Sequence, residues 1–264
     1  MIDDRTGWVR VGRLLSWIVA GSFVLAGVMF VLIESGITAP EGTTAPRAAR
    51  QDYVDATIAF FQNEQSRWPQ ELTASLLFAL GFAALAALGV LLARALGGTE
   101  ARAAILSSTF LVAGTLGVAA QLLYVGAKQV AIDPRYCDCR YAPEQIISQA
   151  RGLALVEGAQ RWLLGGFFVL AALGFWQLAQ LSLRRRVFSA RWGRLSQLLA
   201  VVLLVELVVP LAPQFELALQ VVVFVGAGIL LPFWAVWLDR QLLQLDVSGP
   251  VMPTPVAPER QPGS

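Results

Sequence analysis

The chain has 264 residues, 56% of them hydrophobic and 14% charged, with 20 Lys and Arg against 18 Asp and Glu. Soluble domains are nearer a quarter charged, so this composition excludes an ordinary soluble domain, and a net charge of +2 gives no footing for a nucleic-acid partner. Histidine is absent and cysteine occurs twice, which excludes zinc sites of the HExxH kind, His-ligated haem, Ser–His catalysis and a closed all-cysteine zinc site.

The apolar residues fall in six blocks of about 17–23, each long enough to cross a hydrocarbon core. Residues 1–13 are polar and carry Arg5, Arg10 and Arg13. The first span is predicted over 14–33. Its core exceeds the 7–15 residues of a signal peptide, so it reads as a retained helix. A first long loop, 34–70, opens with a Pro/Thr/Gly-rich stretch and continues as a surface or capping helix over 47–68. Trp68 fits an interfacial anchor, and Pro69 fits the first turn of the next helix.

The second span is predicted over 72–92, where Ala79, Ala83 and Ala87 form a small-residue stripe for close helix contact. A short turn with Arg94 and Arg102 leads to the third span, 103–125, in which Ala113 and Gly117 repeat that pattern. Gln121 and Lys128 are polar at its far end. The second long loop, 126–161, contains Cys137 and Cys139, then a helix starting at Pro143 that can run on into the fourth span, 162–183.

Five arginines follow: Arg184, Arg185, Arg186, Arg191 and Arg194. The fifth span, 195–211, contains Glu206 and ends near Pro210; the sixth covers 215–238, where Gly226, Gly228 and Pro232 predict a kink. Residues 1–245 therefore read as one membrane domain, and 246–264 as a disordered, Pro-rich cytoplasmic tail. The expected fold is all-α: a six-transmembrane-helix bundle with an outer helical cap.

Six spans place both termini on one side. Arginines concentrate in the short segments of that side, so the positive-inside rule puts the termini in the cytoplasm of a cell-membrane protein. The five arginines serve orientation, with contact to anionic lipid headgroups as the sharper alternative.

Glu206 is the residue least easily explained by a span, because a carboxylate there costs about 2–3 kcal/mol against lipid and should face the bundle or stay protonated. The orientation brings Gln121, Lys128, Arg161 and Glu216 to the same outer level. Three readings follow. In one, these residues make a polar pocket for a ligand or ion; in another, Glu206 is tied to Arg161, Lys128 or Gln121 as structural glue; in the third, Glu206 takes part in proton coupling. Cys137 and Cys139, in an external loop, invite a disulfide to each other or to a partner chain; a redox role lacks the second cysteine pair needed to pass electrons on.

The span and loop layout, with Phe188-Ser189-Ala190-Arg191-Trp192-Gly193-Arg194-Leu195 at the start of span five, resembles a bacterial family of six-span membrane proteins of unknown function. That resemblance implies no catalytic residues and no cofactor. The residues carry no P-loop, GxSxG motif or paired-aspartate signature either. The expected protein is thus a non-enzymatic accessory or partner-binding membrane protein, meeting the lipid bilayer and a protein partner or a second copy of itself. A small transporter or lipid/ion-binding protein with a pocket near Glu206 is the alternative.

Overall fold

The computed structural model describes residues 4–34, 50–96, 101–132, 143–185, 187–208 and 224–247. Among these, every element is helical: α1 (Asp4–Glu34), α2 (Arg50–Ala95), α3 (Ala101–Ile132), α4 (Pro143–Arg185), α5 (Ala190–Val208), and a π-helical turn (Phe224–Leu230) running directly into α6 (Leu231–Val247). Cys137, Cys139, Arg186, Pro210, Glu216 and the tail beyond Val247 lie outside the described residues; Asp246 and Val247, expected in the tail, end the last helix.

Four helices contain stretches long and apolar enough to cross a membrane: Gly7–Ile33, Thr57–Ala95, Ala101–Ile132 and Ser148–Arg184. They make this a membrane-embedded helical protein. Four qualify where six were expected. The described α5 has only 19 residues and holds Arg191, Arg194 and Glu206, while α6 has 17.

The largest difference from expectation is in α2. Its 46 residues form one helix of about 69 Å at 1.5 Å per residue, with Pro69 inside it. The cap helix and the second span are therefore a single rod. Proline removes the N–H that would reach the Gln65 carbonyl, but Gln65 and Pro69 are both exposed, where solvent can take the carbonyl. The Thr73 hydroxyl donates to the Pro69 carbonyl at 2.8 Å. The longest helices, α2 and α4, both exceed a hydrocarbon core of about 30 Å, and with α3 they carry paired polar faces beyond the apolar stretch.

Neighbours in sequence pack against each other, and α6 returns to α1 and α5. The small residues that matter are not those of the expected alanine stripe: Ala79 is buried, but Ala83 and Ala87 are exposed. The α2–α3 crossing instead turns on Gly89, Gly114 and Gly117. A Cβ on Gly89 would lie 2.3 Å from Phe110, and one on Gly114 would lie 2.5 Å from the Ala86 Cβ. Through this gap Phe82 reaches Phe23 and Phe167, at ring-centroid distances of 5.3 and 4.5 Å, so one aromatic chain joins α1, α2 and α4.

At the end of the bundle carrying Gly12, Leu91 and Leu242, the segment opening α5 closes the core. Ser189 caps the helix: its Oγ accepts the Trp192 N–H at 3.4 Å, and its carbonyl accepts the Gly193 N–H. The Ser189 N–H donates to Gln241 of α6 at 2.9 Å. Trp192 stacks on Trp234, 5.3 Å between centroids, and both are fully buried. Trp192 Nε1 donates to the Trp234 carbonyl, and Trp234 Nε1 donates to Ser196 Oγ at 2.8 Å. Beside this locked centre, Arg13 Nε donates to Asp239 Oδ1 at 2.8 Å, tying α1 to α6. Arg184, Arg191 and Arg194 are exposed here; the Arg185 side chain is not among those described.

Candidate functional site

The opposite end of the bundle is built from the extensions of α2, α3 and α4. On α2, Glu64, Arg67 and Glu71 recur at i, i+3 and i+7, which is one helix face. On α3, Tyr124 and Lys128 are one turn apart and meet that face. Lys128 forms ion pairs with both Glu64 and Glu71, and its ammonium donates to the Tyr124 hydroxyl at 2.8 Å. Tyr124 in turn donates to Glu71 Oε2 at 3.1 Å. Arg67 lies 3.8 Å from Glu64 and 3.5 Å from Glu71. Glu64, Arg67 and Lys128 are all buried. A buried charge without a partner costs several kcal/mol, so the two cations and two carboxylates hold one another in place.

Beside this network a cavity of about 330 Å³ opens between α1, α2, α3 and α4. Its apolar wall is Phe30 and Ile33 of α1 with Ala74 and Phe78 of α2. Its polar wall is Glu71, Ser75, Gln121, Tyr124, Glu157, Gln160 and Arg161. Glu157 and Arg161 are four residues apart on α4, the spacing at which an acid and a base commonly pair. No ion pair within 4 Å joins them among the described residues.

Of the residues singled out in the sequence, Gln121 and Arg161 line this cavity, and Lys128 stands behind it through Tyr124 and Glu71. Glu206 does not line it. It lies on the inward stripe of α5 with Trp192, Ser196, Leu199 and Leu203, and is 2% exposed. Among the described residues neither carboxylate oxygen has a hydrogen-bond partner, so the glue to Lys128, Arg161 or Gln121 is not formed there. Glu206 instead faces the π-helical turn, where a Cβ placed on Gly226 would lie 2.7 Å from its Oε1.

Sequence reasoning passed over Glu64, Glu71 and Tyr124. The available signal was the acidic–basic–acidic triplet at helical spacing, opposite a lysine one turn beyond the end of a span. Among the described residues, no group of three or more Cys, Asp or Glu could hold a metal ion. No protein-family model matches the chain, and neither a curated protein nor a solved structure resembles it.

Proposed function

We propose that the protein is a non-enzymatic, six-span protein of the cell membrane, with both termini cytoplasmic, that binds a small zwitterionic amphiphile in the outer cavity. The observation that carries this reading is the pair of opposite charges, Glu157 and Arg161, without an ion pair within 4 Å among the described residues, on the wall of a cavity whose far side is Phe30, Ile33 and Phe78. A ligand with an ammonium and an anionic group satisfies both, and an alkyl chain covers the phenylalanines, so that burying either charge is compensated. The six-span layout also underlies the resemblance to bacterial membrane proteins of unknown function. The concentration of exposed arginines at the Trp192 end supports the orientation by the positive-inside rule.

Native mass spectrometry of the protein with phosphatidylethanolamine, phosphatidylglycerol or a short zwitterionic detergent tests the reading. One adduct per chain with the zwitterions is expected, weakened at least tenfold in Glu157→Gln and Arg161→Gln. Equal binding of phosphatidylglycerol, or adducts unchanged in both variants, would sink it.

A second reading, an accessory protein that binds a partner at the outer face, is favoured by one feature of α4. Gly152, Leu155, Ala159 and Trp162 lie along one face and are exposed, Leu155 at 77% and Trp162 at 80%. Leu155 lies about 10 Å further along the helix than Trp162, and an apolar stripe continuing past an interfacial tryptophan fits a partner helix. Cross-linking from a photoreactive residue at position 155 to a second protein in intact cells would support it; cross-links to lipid alone would not.

A further inference from the structure

We infer that Glu206 and the π-helical turn before α6 form a binding site for a small monovalent cation, separate from the outer cavity. The carboxyl is 98% buried, and both of its oxygens lack a hydrogen-bond donor. An anion in that setting needs a counter-charge, and among the described residues no basic side chain supplies one within ion-pair distance.

The backbone opposite it is suited to a cation. The chain from Phe224 to Leu230 is wound as a π-helix, a local widening common at functional sites. Pro232, four residues after Gly228, has no N–H, so an α-helical ladder there lacks the donor for the Gly228 carbonyl. Gly226 and Gly228 put no side chain over this backbone. On the α1 side Gly27 comes close as well: a Cβ there would sit 4.0 Å from the Gly228 Cα. A carboxylate facing a π-helical turn, where Pro232 withholds the α-helical donor of the Gly228 carbonyl, resembles the carboxylate and carbonyl oxygens that hold sodium in broken-helix sites.

Charge selects the valence. One carboxylate neutralises one monovalent ion, and no second acid among the described residues joins it to hold a divalent ion.

The test measures thermal unfolding of the full-length protein in nanodiscs. Sodium or potassium chloride replaces choline chloride at constant ionic strength. A saturable rise in melting temperature of several degrees is expected for the wild type, and its loss in Glu206→Gln. No rise in the wild type, or the same rise in Glu206→Gln, overturns the site. If Glu206→Gln does not fold, infrared spectra of the wild type decide. Sodium should convert an acid carbonyl band to a carboxylate band, or find the carboxylate already present. An acid band that persists unchanged at saturating sodium overturns the proposal in favour of a plain neutral carboxylic acid.

Discussion

The two ends of this bundle solve the same problem in opposite ways. At the Trp192 end, polar atoms are few, and those of the indoles are each given a partner: two indole N–H groups, one hydroxyl and two carbonyls close a small circuit inside an apolar centre. At the Lys128 end, full charges are buried in number, and they are balanced only as a group. The first arrangement specifies a packing. The second leaves Glu157, Gln160 and Arg161 on a cavity wall with no bond among themselves. A membrane bundle that needed only to be stable would repeat the first solution at both ends. That it does not is the main reason to look for a ligand at the second.

The comparison can be broken most directly at Lys128. Lys128→Met leaves Glu64 and Glu71 with Arg67 as their one shared cation among the described residues, and removing one partner of a buried ion network typically costs about 3–5 kcal/mol. Thermal or denaturant melts in a mild detergent should show it; a loss below 1 kcal/mol would mean that water reaches the network freely.

Next in size is Ser196→Ala. It strands the Trp234 indole N–H in a fully buried position, at a cost of about 1–3 kcal/mol. Tryptophan fluorescence should report the change together with the melt. Unchanged emission and stability would show the circuit to be incidental.

Gly89→Ala tests the crossing that joins the two ends. The new methyl would stand 2.3 Å from the Phe110 Cβ, an atom too near the backbone to swing aside. Overpacking of this kind costs about 1–3 kcal/mol, and the shift should disturb Phe110 against Phe175. A neutral outcome would mean α2 and α3 separate easily.

The smallest effect is expected for Arg13→Gln. The pair with Asp239 is partly exposed on the arginine side, and such bridges contribute about 1 kcal/mol or less. A loss of several kcal/mol would put this contact on a par with the outer network and erase the distinction between the ends.

The membrane character and the positions of the four long apolar helices were legible from hydropathy, because each holds an unbroken apolar block. The lengths of the helices were not. Pro69 reads as a boundary in sequence, yet it is accommodated on an exposed face of one rod, and nothing local to it says which side of the helix will meet solvent. The ions of α2 looked like surface charge for the same reason: their partner, Lys128, is 57 residues from Glu71, on α3. Gln121 and Arg161 could be placed at one level by counting along spans. Rotation about each helix axis could not be counted, and it is rotation that turns Glu206 toward Gly226 and away from them. The serine, tryptophan and glycine of the segment 188–195 carried more than orientation. They cap α5, fill the core and permit close approach, while Arg191 and Arg194 stay in solvent.

The single rod of α2 has a mechanical meaning. One face of its first half is gripped by Lys128 and borders the cavity, and its other end carries Arg94. A helix of about 69 Å acts as a lever where it moves as one body. If filling the cavity tilts it by about 5°, the far end sweeps about 6 Å. An event on one side of the bilayer would then be felt as displacement on the other, with no rearrangement in between.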